Sequence, residues 1–141
     1  MFVGNRNEAR DYFFHVWEKV NKQLPLEPLE TIISQVILEH PEYHSYLDNK
    51  EDSLNHEFTP EQDQTNPFLH MGMHIALKEQ VGTNRPEGIS DVFNSLMSQS
   101  DSVHDAEHRM MECLGQSLWE AQRNQTLPDE SSYLECLKRI A

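Results

Sequence analysis

Apolar side chains recur three and four positions apart along most of this chain, and no stretch alternates with period two between turn residues. The pattern therefore predicts helices throughout. The first runs from about Asn7 to Gln23, with Ala9, Phe13, Val16, Trp17, Val20 and Leu24 on one stripe and Asp11, His15, Glu18 and Lys19 opposite. LPLEP breaks the pattern, and Pro28 suits the first turn of a second helix whose buried stripe is Leu29, Ile32, Ile33, Val36 and Ile37. Pro41 interrupts or kinks that helix near His40, and one more turn is expected from Glu42 to Leu47. Residues from about 48 to 65 are acidic, with few apolar positions, and read as a polar surface loop.

Asn66-Pro67 supplies a cap followed by a proline in the first turn, so the next helix should start there and run to about Val81. GTNRPEG reads as a loop, with a short helix from about Gly88 to Ser98. The longest helix spans about Ser102 to Asn124 and is stopped by Thr126-Leu127-Pro128. A last one begins at Asp129 or Ser131 and carries Tyr133, Leu134, Leu137 and Ile140. The expectation is one all-α domain over residues 1–141, a compact bundle of five or six helices.

The chain has 141 residues and a formal net charge of -13. A phosphate backbone or an anionic bilayer is bound through basic surface, so the charge excludes nucleic acid and membrane as expected partners. It leaves a basic protein partner or a bound cation as the natural complement. A homo-oligomer is compatible with the sequence but not indicated by it. The two cysteines, Cys113 and Cys136, are not spaced as CxxC, and the expectation is a pair of reduced thiols. The N-terminal MFVGNRNEAR has no long apolar run, and a cytoplasmic location is expected.

Histidine placement changes the picture. Of eight histidines, six form pairs four apart: His40/His44, His70/His74 and His104/His108. Chance placement gives roughly half of one such pair. Residues four apart lie on one helix face, so both imidazoles can reach a single ion. On the helix wheel His104, Glu107 and His108 fall with Met111, Leu114, Gly115, Leu118 and Trp119, while Asp105, Arg109, Glu112, Gln116, Glu120 and Arg123 lie opposite. His70 and His74 share a face with Leu77 and Val81, on a helix apolar nearly all round. His40 continues the stripe of the second helix, and His44 stays near it if the turn after Pro41 keeps phase. His15 and His56 fall on a polar face and in the loop, and serve as controls expected to be exposed, whereas His70, His74 and His108 are expected to be buried.

A buried polar ring without a partner costs on the order of 1–3 kcal/mol. One such ring is ordinarily satisfied by a backbone carbonyl, but a shared metal ion satisfies several at once. Neutral imidazole is a strong ligand for zinc, iron and nickel. The leading expectation is a mono- or dinuclear transition-metal site built from His70, His74, His104, His108, Glu107, His40 and His44. Two alternatives stand beside it: an acidic interaction module with structural histidines, and a metal-dependent hydrolase with Glu107 as general base. HDAEH fits the HxxEH pattern of inverted zinc proteases, although the chain after it is short for a peptidase. The His104-Asp105 dyad fits HD phosphohydrolases, but the wheel turns Asp105 away. The likeness to di-iron and hemerythrin-like bundles is architectural only.

The blocks NEARDYFF, HPEYH, NPFLHMGMH with ALKEQ, and AEHRMMECLGQSLWEAQR with PDESSYLECL cover nearly the whole chain. In them the chain resembles a small bacterial family, the domain-of-unknown-function family numbered eighteen forty-one. The resemblance implies a helical fold and a bacterial cytosol, and it implies no reaction. Its blocks contain His40, His44, His70, His74, Glu107 and His108; His104 lies just before the last block.

Overall fold

Capping residues set where the helices begin. The computed structural model describes residues 6–54, 56 and 66–141. It places α-helices at α1 (Arg6–Asn21), α2 (Pro28–Leu38), α3 (His44–Asp48), α4 (Lys50–Ser53), α5 (Pro67–Thr83), α6 (Ile89–Met97), α7 (Val103–Asn124) and α8 (Glu130–Ile140), with a 3-10 turn at Pro41–Tyr43. The Asn66 carboxamide oxygen accepts from the amides of Phe68 and Leu69 at 3.0 and 3.2 Å, and the Ser102 hydroxyl accepts from the Asp105 amide at 3.1 Å. Asp129 accepts from the amides of Ser131 and Ser132. Each satisfies amides that a helix start leaves open.

Among the described residues there are eight α-helices and no strand, so the all-α class holds and the number of helices exceeds the five or six expected. The excess arises after Pro41. Proline keeps His40 out of the helical region, at φ -126° and ψ 64°, and the chain restarts as short pieces. Part of the expected polar loop is helical too. Buried Arg10 donates to the carbonyls of Ser53, Leu54 and His56 at 3.0, 3.1 and 2.6 Å, and so satisfies the end of α4. A one-dimensional apolar pattern carries no trace of that distant cation. Residues 55 and 57–65 of the loop lie outside the described residues.

The chain divides into two compact units, residues 1–72 and 73–141. In the first, α1 packs on α2 and α3. Phe13, Val16, Ile33, Val36 and Ile37 are buried at 1 % exposure or less, and full burial of one such side chain is worth about 1.5–3 kcal/mol. The Phe68 ring meets Phe13 and Phe14 with centroids 5.7 and 5.8 Å away. Glu30, nearly buried at the start of α2, ties the two helices. It accepts from the Glu27 amide at 2.7 Å and from Lys19 Nζ at 3.0 Å, and lies 3.2 Å from His15 Nε2.

The second unit is centred on Leu77, Ile89, Val92, Leu96, Ala106, Met110, Leu114, Tyr133 and Leu137. Helices α7 and α8 make its main packing contact. Gln125 takes the left-handed conformation at φ 54° and ends α7. Cys113 and Cys136 are joined by a disulfide with Cα atoms 5.7 Å apart, which corrects the expectation of reduced thiols. The Arg109 guanidinium donates to the Ile140 carbonyl at 2.8 Å. Both links straddle the Asn124–Gln125 junction symmetrically, so the two helices run antiparallel, and symmetric placement about a reversal is what brings two distant thiols together. Among the described residues no helix is long and apolar enough to cross a membrane.

Candidate metal centre

In the second unit the four-residue spacing on α5 and α7 sets the geometry. His74 and Lys78 stand one turn apart on α5, and His104, Glu107 and His108 occupy one turn of α7. His74 is fully buried and Glu107 nearly so. The His74 Nδ1 lies 2.8 Å from Glu107 Oε1, and Lys78 Nζ lies 3.1 Å from Glu107 Oε2. Paired with an ammonium, the carboxylate accepts, so His74 Nδ1–H donates and its Nε2 carries the lone pair. That Nε2 is 3.1 Å from His108 Nε2.

The three imidazoles form one cluster. Ring centroids are 4.8 Å apart for His74 and His104, 4.9 Å for His74 and His108, and 4.1 Å for His104 and His108. One ring nitrogen of each lies within 4.8 Å of the other two, a group with the composition and spacing to hold a metal ion. Burial pushes the Glu107 carboxyl above the ordinary carboxylate range, and the Lys78 ammonium pulls it back down.

His74 is buried as expected, but His108 is exposed and His104 intermediate. The buried face of α7 consists of Ala106, Glu107, Met110, Cys113, Leu114, Ser117 and Ala121. It is rotated from the expected stripe, leaving Leu118 and Trp119 exposed. Small Ala106, Ser117 and Ala121 face inward beside Met110 and Leu114, and Cys113 on the same face reaches α8 through its disulfide.

The other predicted site residues belong to the first unit. His40 is buried and donates from Nδ1 to the Val36 carbonyl at 2.7 Å. Its ring stacks on Tyr43 at 5.4 Å and meets His70 edge-on at 5.1 Å. His70 is only partly buried, short of the burial expected of it. His44 donates from Nε2 to the Ile37 carbonyl at 2.8 Å, with its ring 4.5 Å from Trp17. Of the two controls, His15 is exposed as expected, while His56 is intermediate because its carbonyl is drawn to Arg10.

Lys78 was missing from the sequence-based set. Its signal was available: His70, His74 and Lys78 continue one four-residue spacing, so a cation follows the histidines on the same face.

No curated protein and no solved structure matches this chain. The family described as Domain of unknown function (DUF1841) matches residues 5–139, nearly the full length, and the chain belongs to that family.

Proposed function

We propose that this is a metal-binding protein whose second unit holds one first-row transition-metal ion on ring nitrogens of His74, His104 and His108. The observation that carries the reading is the state of His74. Its Nδ1 is committed to a buried carboxylate while its Nε2 faces a second imidazole nitrogen at 3.1 Å. Two ligands at 2.0–2.1 Å from a tetrahedral ion stand about 3.3 Å apart, close to the separation present. Ligating histidines characteristically donate their other N–H to a carboxylate, which fixes the tautomer and aims the lone pair. In the metal-free chain the same separation accommodates an N–H···N hydrogen bond.

Three neutral imidazoles suit zinc, iron or nickel better than calcium or magnesium. Glu107 holds His74 in this reading: one oxygen takes the imidazole N–H and the other takes Lys78. With both oxygens engaged, a hydrolase using Glu107 as general base has less support.

The test is elemental analysis of untagged protein, equilibrated separately with zinc, ferrous iron or nickel and freed of excess ion. The expected result is close to one ion per chain for at least one metal, loss of most of it in His74→Ala, and retention in His15→Ala. Metal content at buffer level with the helical circular dichroism intact, or equal content in the two variants, would overturn the proposal and leave the acidic interaction module.

A further inference from the structure

The ammonium of Lys78 sits against Glu107 rather than in solvent. Its side chain is 13 % exposed and its Nζ lies 3.1 Å from Glu107 Oε2. The opposite oxygen, Oε1, holds His74 Nδ1 at 2.8 Å. The carboxylate is thereby spanned between a fixed cation and a fixed ring. Glu107 shares a turn of α7 with His104 and His108, so it starts one side-chain rotation from the imidazole cluster.

We propose that Lys78 is a positioning residue that sets metal preference by keeping Glu107 off the ion. This deepens the metal-binding reading and rests on it. With Lys78 present, the carboxylate is held as the acceptor for His74, and the second unit offers the ion imidazole nitrogen alone. Without it, one Glu107 oxygen is released and can turn toward the ion. The site then gains an oxygen ligand, and the Glu107 oxygen that holds His74 Nδ1 is no longer steadied by a cation on the other side. Imidazole sets favour zinc, nickel and iron, whereas carboxylate oxygen favours harder ions such as manganese. Groups that orient a ligand from behind typically change metal affinity 10–100-fold when removed.

The experiment measures zinc and manganese dissociation constants, by competition with a chromophoric chelator, for the wild type, Lys78→Arg and Lys78→Met. In Lys78→Met zinc affinity should fall about tenfold or more, and the preference for zinc over manganese should narrow by at least that factor. Lys78→Arg, which keeps the cation, should retain the wild-type preference. A zinc-over-manganese ratio unchanged in Lys78→Met overturns the inference. If Lys78→Met does not fold, Lys78→Gln replaces it, keeping length and polarity without charge. The wild type gives a second reading: with zinc bound, the His74 Nδ1–H proton should keep the low-field resonance of an imidazole donating to a carboxylate. Its disappearance would mean that Glu107 has moved onto the ion, against the proposal. A wild type that takes up no zinc fails the metal reading itself, whereas zinc uptake with an unchanged ratio fails only the role of Lys78.

Discussion

Removing both partners of the Glu107–Lys78 pair should destabilise the metal-free protein by less than the sum of the two single losses. At 3.1 Å, with an effective dielectric constant of about 20, the attraction between these charges is roughly 5 kcal/mol before desolvation is subtracted. Glu107→Leu deprives Lys78 of that carboxylate and also takes the acceptor from buried His74 Nδ1. Breaking a buried pair from one side costs about 3–5 kcal/mol. The lower end applies here, because the partly exposed Lys78 can swing its ammonium to water. Lys78→Met should cost less, about 1–3 kcal/mol, since Glu107 keeps its bond to His74 and burial already favours its protonation. In the double variant neither charge is left behind, and the loss should fall short of the sum by about 1–3 kcal/mol. Urea unfolding followed by circular dichroism, with a chelator present, measures all four corners of the cycle. Additivity within about 0.5 kcal/mol would refute the picture of one coupled unit.

Two further outcomes concern stability. The Glu30 carboxyl is held below the usual carboxylate range by the Glu27 amide and the Lys19 ammonium. Its stabilising contribution is therefore complete above the unfolded value of about 4.3 and is lost as pH falls through the lower folded value. Glu30→Gln should flatten the decline of melting temperature below about pH 5, and parallel curves for variant and wild type would contradict this. The Cys113–Cys136 bridge closes a loop with a sequence separation of 23. Chain entropy assigns such a loop roughly 3 kcal/mol, so Cys136→Ser should unfold at lower urea without reductant and match the wild type with it. Identical midpoints without reductant would show that the bridge contributes nothing.

Helix positions were legible because local chemistry sets them. Asn66, Ser102 and Asp129 cap the helices they precede, and each acts within three residues of itself. The histidine pairs were legible for the same reason, since four-residue spacing is a property of one helix. Partners on other helices were not. The wheel places His104, Glu107 and His108 on one face, but it buries His108, which is exposed. It ranks residues by apolar bulk, whereas the buried face of α7 includes the small Ala106, Ser117 and Ala121 and leaves Leu118 and Trp119 outside. Arg10 was unreadable because its acceptors are carbonyls 43 to 46 positions away, and a carbonyl has no sequence signature.

Arg10 also touches the chain on both sides of residues 57–65. It donates to the carbonyl of His56, and its guanidinium lies 4.9 Å from the centroid of the Phe68 ring. One side chain on α1 thus anchors the place where the chain leaves and the place where it returns. A change at position 10 therefore reaches the end of α4 and the first turn of α5 at once, and the two share one fate through a single guanidinium.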